Sequence, residues 1–347
     1  MSHVCKHPVL LIGSFPFSTV DEVFDVAGST LSSHAGRFPD GEAQGWVTFP
    51  GKVLANTKGV ERSGRVFQNQ PELPAYELFR LSPGATPEEV VFPRTGYADI
   101  AKRSYDRFRQ KREGGIVPAG ARFQLSLPTP FGVVAYHLVP EDLPALLPAF
   151  ERTYLAEVNE IIDAIPADDL AVQWDVAIEI VSALHGFMPG LRERAPMRMI
   201  VDALARAAAH VPEPVELGFH FCYGNPGGHH IIEPQDTGLM VDLANAVTLA
   251  ISRPVTWMHM PVPIDRTDDS YFAPLARLEL REDTELFLGL VHLADGIDGA
   301  GRRIAAAKKF RSEFGVGFEC GLRYFAPDSI PRLLELHVEA GRHACAC

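Results

Sequence analysis

The stretch Val215-Glu-Leu-Gly-Phe-His-Phe-Cys222 is a short, mainly apolar run of the kind that forms a buried strand. It lies between two segments with helical spacing, residues 197–210 and 238–251, and residues 255–262 then repeat the strand pattern. Two such strands separated by a helix predict a βαβ unit, because parallel strands need a long crossover connection. The rest of the chain continues this alternation in both directions.

Eight strand candidates, most of them followed by a helix candidate, predict an α/β fold of the (β/α)8 or TIM-barrel type. The strand candidates are residues 9–15, 46–49, 122–127, 170–180, 215–222, 255–262, 286–293 and 315–321. The helix candidates are residues 20–31, 98–111, 141–165, 197–210, 238–251, 271–280, 300–310 and 330–340. An open doubly wound sheet usually carries a Gly-rich turn after its first strand, and Ile12-Gly-Ser-Phe-Pro16 does not have that pattern.

We expect residues 1–347 to form one barrel domain with two irregular parts. Residues 50–95 are rich in Gly, Pro and polar residues and show no sustained period. They predict an excursion from the main body after the second strand, since structureless loops of this length are rare inside compact domains. Residues 342–347 are predicted to form a short flexible tail, because chain ends are seldom held in place.

The composition narrows the class of partner. The chain has 32 basic and 44 acidic residues, and the net charge of −12 disfavours nucleic-acid binding through phosphate contacts. No apolar run approaches the roughly 18 to 20 residues that span a bilayer, so we expect no membrane partner and a cytoplasmic location. Five cysteines are an odd and sparse set, which argues against a disulfide framework and for thiols that stay reduced. Small molecules remain the expected partners.

Several reactive side chains fall at predicted strand ends, where barrel enzymes have their active sites. His220 and Cys222 are two residues apart in one strand, so both point to the same side. Cys320 lies at the end of the last strand candidate, and His259 lies on the sixth. Imidazole and thiolate are ligands that Zn²⁺ prefers, so this set predicts a zinc site.

Five short motifs, in this order along the chain, give the sequence a family resemblance. They are Ile12-Gly-Ser-Phe-Pro16, Gly41-Glu-Ala43, Gln173-Trp-Asp175, His220-Phe-Cys-Tyr223 and Cys320-Gly-Leu322. On these motifs the chain resembles the cobalamin-independent methionine synthases and their barrel relatives. The length is too short for the extra N-terminal barrel of the long folate-dependent enzymes, so the resemblance is to the short single-barrel relatives.

The resemblance implies a metal site and the chemistry of that site. His220, Cys222 and Cys320 would be zinc ligands, and the zinc would activate a thiol substrate as thiolate, the nucleophilic form. The family has a glutamate as fourth ligand on the next strand, and His259 stands in the equivalent position here. The fourth ligand therefore stays open between His259 and three residues of the preceding loop, namely His229, His230 and Glu233.

The resemblance also implies a substrate site. Ser14, Glu42 and Asp175 would hold the amino acid part of homocysteine, and Asp175 also counts among the catalytic residues. His292 would be the catalytic acid that protonates the leaving group. One departure lies after Asp175, where Val176 replaces an acidic residue of the family.

The function that follows is a zinc-dependent methyl or alkyl transferase acting on a homocysteine-like thiol, with a folate or a corrinoid as possible methyl donor. The changed fourth ligand leaves open a zinc-dependent hydrolase or lyase that uses metal-bound water. A uroporphyrinogen decarboxylase-like enzyme is a further alternative, although it should have an arginine-rich mouth and only Arg37 and Arg323 are candidates. The last alternative is a protein that binds thiols or pterins without catalysing a reaction. The sequence leaves open the methyl donor, the acceptor and the oligomeric state.

Overall fold

Seven parallel strands form one curled sheet in the computed structural model, which describes residues 6–43, 49–68 and 75–345. Their order in the sheet is the same as their order in the chain. These strands are β1 Arg37–Pro39, β4 Arg122–Pro128, β5 Leu170–Val176, β6 Glu216–Phe221, β7 Trp257–Pro261, β8 Glu285–Gly289 and β9 Gly315–Val316. A curled parallel sheet of this order brings the carboxyl ends of all its strands to one rim.

Helices connect the successive strands and cover the sheet, as the alternation in the sequence predicts. They are α1 Val20–Leu31, α2 Phe49–Ala55, α3 Tyr97–Glu113, α4 Pro130–His137, α5 Leu143–Ala164, α6 Leu191–Arg194, α7 Met197–Ala209, α8 Gly238–Ala250, α9 Asp269–Phe272, α10 Gly296–Lys308 and α11 Ile330–Cys345. The start of α1 shows a local cause: Thr19 and Glu22 form a capping box that satisfies free N–H groups of the first turn. No helix in the described ranges is long and apolar enough to cross a membrane.

The second strand of the sheet lies earlier than the sequence pattern predicts. The prediction of a strand at 46–49 is wrong at its end, where Phe49 begins α2, and residues 44–48 lie outside the described residues. The strand in the sheet is Arg37–Pro39, which pairs with β4 from Arg37↔Arg122 to Pro39↔Gln124. The strand has only three residues, Arg37, Phe38 and Pro39, and a stretch this short shows no alternation of apolar and polar residues that could reveal it.

The predicted excursion contains ordered structure of its own. Strands β2 Val60–Phe67 and β3 Tyr76–Leu81 pair antiparallel as a separate two-stranded sheet. The hairpin contacts the main body through the bridge between Phe79 and Leu138. At the other end of the chain, α11 continues to Cys345, so residues 342–345 are helical.

Two strand candidates are shorter in the structure than in the sequence pattern. The candidate at 170–180 ends at Val176, and Glu179–Leu184 forms a π-helical segment instead. The candidate at 315–321 pairs regularly only over Gly315–Val316, and Cys320 therefore lies in a loop after the strand. In both places an apolar run continues beyond the point where the backbone leaves the sheet.

The first apolar segment of the chain lies between the two edge strands of the curled sheet. Val9 forms single parallel bridges with Ala35, just before β1, and with Val316 in β9. The Leu10 amide donates to the Val316 carbonyl at 2.9 Å, and the Val316 amide donates to the Pro8 carbonyl at 2.8 Å. The sheet is therefore bridged from one edge to the other through this segment.

A buried ionic cluster closes the amino ends of the strands. Arg37 donates to Glu216 at 2.5 Å and to Glu285 at 2.9 Å, and its guanidinium lies 4.4 Å from the Trp257 ring centroid. The Trp257 ring in turn requires glycine at position 218 of the neighbouring strand, because a Cβ there would meet the ring at 1.9 Å. This end of the sheet is filled by protein side chains, which leaves the opposite end for chemistry.

Candidate metal centre and adjoining cavity

Three side chains with soft or borderline donor atoms meet at the carboxyl ends of the strands. Within the described ranges, the group of His, Cys and acidic residues that could hold a metal ion is His220, Cys222 and Cys320, with ligand atoms within 4.8 Å of one another. The two sulfur atoms are 3.5 Å apart, although the residues are 98 positions apart in the chain. Both cysteines are free thiols. The arrangement has the donor set of a zinc site with three protein ligands.

His259 holds the His220 ring rather than joining this group. The Nδ1 atoms of the two rings are 2.8 Å apart, since His220 and His259 are register partners on β6 and β7. Nε2 of His220 is buried and has no hydrogen-bond partner among the described residues. A histidine that ligates a metal through one ring nitrogen and is oriented through the other has this pattern.

The pKa directions reflect a closely packed set of protonatable groups. Burial lowers the pKa of His259 well below its usual value, so its ring is neutral and can accept a hydrogen bond at Nδ1. Burial opposes charge on His220 as well, but contacts with Cys320 and the nearby Asp175 and Glu42 raise its pKa overall. The hydrogen bond with Cys222, together with burial, raises the pKa of Cys320 well above its usual value. A bound divalent cation would reverse this last direction, because coordination deprotonates a thiol.

A cavity of about 280 Å³ adjoins the three ligands. Its wall includes the three ligand residues together with Ser14, Glu42 and Asp175, which come from three other strand ends or loops. The structure thus brings the predicted substrate-binding residues and the predicted ligands to one place. The volume is at the small end for ligand cavities, which suits a small polar molecule.

The turn after β1 directs Glu42 into the cavity. Gly41 and Glu42 both have left-handed backbone conformations, with φ of 73° and 52°. A Cβ at Gly41 would meet Val23 at 2.5 Å, so the turn requires glycine there. The Glu42 amide donates to Asp40 Oδ1 at 2.9 Å, which fixes the turn. A non-glycine residue held at positive φ is a strained position of the type found at functional sites.

The carboxylates of the cavity wall have different partners. Glu42 accepts a hydrogen bond from Arg323 Nη2 at 2.7 Å, whereas Asp175 accepts from the amide of Gln173 at 2.8 Å. Desolvation raises the pKa of Glu42 to about 8 against the opposing charge of Arg323. Desolvation also raises the pKa of Asp175 to about 6, with His220 and Gln173 acting in the opposite direction. Glu42 thus has a cationic partner in Arg323, whereas the hydrogen bond that Asp175 accepts comes from an uncharged amide.

His292 lies outside the set of residues that line this cavity. Its Nε2 is 2.9 Å from the Val262 carbonyl oxygen, and its Nδ1 is 2.9 Å from Glu319 Oε1. The other oxygen of Glu319 is ion-paired with His230, whose Nδ1 is 3.1 Å from Glu233. His292 thus contacts the segment just before Cys320 through Glu319 and through the Phe318 ring, whose centroid is 5.6 Å from that of His292.

The loop residues considered as a fourth ligand form a separate cluster. His230 contacts both Glu233 and Glu319, and neither His230 nor Glu233 belongs to the three-residue group. His229 is exposed and is outside that group too. Among the described residues the group therefore has three members, and His259 is not one of them.

Sequence reasoning did not identify the functional significance of Arg323, Gln173 or Glu319. Arg323 follows the last motif and lines the cavity, but nothing local connects it with Glu42, 281 positions earlier. Gln173 belongs to a quoted motif, and a same-face position two residues before Asp175 was an available signal. Glu319 gave no comparable signal, since its histidine partners are distant in sequence.

Comparisons with known proteins give relatives in fold only. No family model matches the chain, and no curated protein matches it by sequence. A B12-independent methionine synthase from a Shewanella species, in complex with selenomethionine, is similar with a TM-score of 0.64 and 13% identity over 97% of this chain and 97% of that chain. A methyltransferase from Methanosarcina mazei has a TM-score of 0.56 and 13% identity over 98% and 95% of the two chains.

A vitamin-B12-independent methionine synthase proposed for Listeria monocytogenes is also similar, with a TM-score of 0.57 and 14% identity over 93% of this chain and 86% of that chain. At these identities the likeness establishes a shared fold, and activity has to be argued from the site.

Proposed function

We propose that this protein is a zinc-dependent methyl or alkyl transferase that activates a homocysteine-like thiol. The observation that carries the proposal is the meeting of His220, Cys222 and Cys320 beside a cavity that Ser14, Glu42 and Asp175 also line. The names of the structural neighbours, methionine synthases and a methyltransferase, agree with this reaction class. When bound, zinc would hold the substrate sulfur as a thiolate at neutral pH.

The chain's own residues supply binding and orientation in this proposal. Three protein ligands leave one coordination position for the substrate sulfur, which is how catalytic zinc sites differ from closed structural ones. His259 acts as a positioning residue that orients His220 through their 2.8 Å Nδ1 contact. Asp175 holds the ammonium group of the substrate. The general-acid role of His292 stays a prediction, with protein partners on both ring nitrogens.

The fold is part of the proposal. We propose that residues 8–10, bridged to both edge strands, act as the eighth strand and complete a (β/α)8 barrel. Such closure explains why Ser14, which follows this segment, lies beside Gly321: the Leu322 amide donates to the Ser14 carbonyl at 2.6 Å. In a barrel the carboxyl-end loops of the first and last strands are neighbours.

The open ligand position also permits a hydrolase or lyase that uses metal-bound water. Turnover in the absence of an added thiol separates this second candidate from the first. A tetrapyrrole decarboxylase has less support, since Arg37 lies in the ionic cluster at the opposite strand ends and, among the residues that the structure describes, Arg323 is the one arginine on the cavity wall.

Metal analysis of purified protein tests the zinc site. We expect about one zinc ion per chain in the wild type, and at least a tenfold loss of affinity in Cys222→Ser and Cys320→Ser, because each variant removes a ligand. His210→Ser is the control: it removes an exposed histidine, a residue type that can also bind zinc, directly after α7 and should keep its zinc. A wild type without zinc, or ligand variants that bind zinc as tightly as the wild type, contradicts the proposal.

Alkylation of the thiol tests the reaction. Wild-type protein loaded with zinc should convert homocysteine to methionine with a folate or a corrinoid methyl donor, and mass analysis of the product identifies which donor is used. Conversion should depend on Cys320. Product formed equally by the zinc-free protein would assign the activity to another site.

A further inference from the structure

The guanidinium of Arg323 is a cationic group on the cavity wall that the zinc–thiol chemistry leaves unassigned. Glu42, Asp175 and Arg323 are the Asp, Glu, Lys or Arg side chains among the described residues that line the cavity. Arg323 is about one third exposed, at 31%, and Glu42 is more enclosed, at 12%. The guanidinium is therefore the more solvent-accessible member of this ion pair.

Most hydrogen-bonding capacity of Arg323 is directed to no protein acceptor. In the described part of the chain it makes one hydrogen bond, from Nη2 to Glu42 Oε2 at 2.7 Å. The planar guanidinium carries further N–H donors in a fixed fork that matches a carboxylate. An ion pair on one edge fixes the plane of the group, and the other donors stay available to a bound molecule.

The two carboxylates have different capacities for a ligand cation. Glu42 already faces the positive charge of Arg323, whereas the hydrogen bond recorded for Asp175 comes from the uncharged amide of Gln173. Asp175 thus retains an oxygen and a negative charge for an ammonium group. The wall offers one uncompensated anion and one partly free cation, which is complementary to a zwitterion.

We propose that Arg323 binds the carboxylate of an α-amino acid substrate, while Asp175 binds its ammonium group and Glu42 positions Arg323. This inference rests on the proposed function and adds Arg323 to the residues that hold the amino acid part of its substrate. It assigns specificity for the carboxylate to a residue of the loop that also carries Cys320. The substrate sulfur and the substrate carboxylate would then be held by one loop.

Binding of thioethers, whose sulfur cannot form a thiolate, tests the proposal without turnover. The probes are methionine, 3-(methylthio)propylamine, which lacks the carboxylate, and 4-(methylthio)butyrate, which lacks the ammonium group. By calorimetry the wild type should bind methionine about 10- to 100-fold more tightly than the amine, because a charged hydrogen-bonded pair is lost. Arg323→Gln should reduce methionine binding to the level of the amine and leave binding of the amine within about twofold.

Two further variants and one control test whether the loss of binding depends on the charged groups assigned here. Arg323→Lys keeps the charge but not the fork, and should bind methionine with intermediate affinity. Asp175→Asn should weaken methionine and the amine while sparing the butyrate. Arg332→Gln, an exposed arginine on α11, is the matched control and should bind all three probes as the wild type does.

The inference is overturned if Arg323→Gln binds methionine as tightly as the wild type, or if the variant loses all three probes equally while its unfolding curve is unchanged. A wild type that binds none of the probes overturns it too. These outcomes are distinct from failure of the proposed function, which metal analysis reports. If the wild type binds zinc but binds methionine no more tightly than the amine, the role of Arg323 is refuted and the proposed function is not.

Discussion

At the scale of single residues, partners decide what each reactive group can do. Cys222 and Cys320 can act as ligands because their sulfur atoms lie 3.5 Å apart without a disulfide bond. Cys345 shows the contrast: it is disulfide-bonded, contrary to the expectation that all five cysteines stay reduced. Cysteine spacing gave no signal for that pairing, since bridging depends on which Cβ atoms the fold brings together.

The contact between the two buried imidazoles can be tested through zinc affinity. His259→Ala should lower zinc affinity about 10- to 100-fold, because the ring of His220 loses the group that fixes its orientation. His220→Ala should lower it further, since a ligand is removed. A competition titration with a chromophoric chelator measures both affinities.

His259→Gln supplies the control for that prediction. A glutamine can offer a carbonyl acceptor to the His220 ring and should recover part of the affinity. If His259→Ala and His220→Ala bind zinc equally weakly, His259 would be a ligand itself, and the positioning role would be wrong.

At the scale of elements, ion pairs join helices to the ends of the strands. The Asp169 carboxylate, just before β5, accepts from Arg112 of α3 through two N–H···O contacts of 2.6 Å each and from the Tyr105 hydroxyl at 2.6 Å. The Arg112 contact, despite partial burial, lowers the pKa of Asp169 below its usual value. A paired group with these contacts holds the carboxyl-terminal end of α3 against the sheet.

Asp169→Asn should therefore destabilise the fold by about 1 to 2 kcal/mol at pH 7, because the charge-assisted bonds are lost. Since the folded-state pKa is lowered, the contribution of Asp169 is present above its unfolded pKa near 3.8 and is lost as the pH falls through the folded pKa. Urea unfolding curves of wild type and variant should differ most near neutral pH and converge on acidification.

The exposed pair between Arg94 and Glu160 is the comparison for this effect. Both side chains are about half exposed, at 52% and 43%, so Glu160→Gln should change the unfolding free energy by less than about 0.5 kcal/mol. A difference between wild type and Asp169→Asn that grows as the pH falls would contradict the sign of the linkage.

At the scale of the whole molecule, the site is assembled from both ends of the chain. Ser14 and Glu42 come from the first strand connections, Asp175 and His220 from the middle, and Cys320 from the last. The amino ends of the strands are filled by Arg37 and its buried carboxylates. Stability and chemistry are thus separated at opposite ends of the sheet, as in barrel enzymes.

Zinc should stabilise the fold because the three ligands meet only in the folded chain. At a free zinc concentration of about 100 Kd, linkage adds about 2.7 kcal/mol to the free energy of unfolding. Thermal unfolding of the wild type should therefore move up by several degrees on adding zinc and return on adding a chelator.

Cys320→Ser should show a much smaller shift at the same zinc concentration, and His210→Ser should shift as the wild type does. An upward shift of equal size in Cys320→Ser would show that zinc stabilises the protein through another site.

The sequence by itself determined what depends on near neighbours in the chain. The period of apolar residues indicated the alternation of strands and helices, and the spacing of two placed His220 and Cys222 on one face. Motif order gave the family resemblance, and solved structures of that type are similar in fold at 13% to 14% identity. The sequence pattern did not predict the short strand Arg37–Pro39, because the partners that bury Arg37 are carboxylates distant in the chain.

Only the tertiary structure decided what depends on approach between distant segments. It brought Cys320 to Cys222, placed the Nδ1 atoms of His220 and His259 2.8 Å apart, and engaged both nitrogens of His292. It also set Arg323 against Glu42, a contact that gives the cavity its cation. The reason is physical: local periodicity fixes the side of a strand on which a side chain lies, whereas distances between strands follow from the curl of the sheet and the packing of its loops.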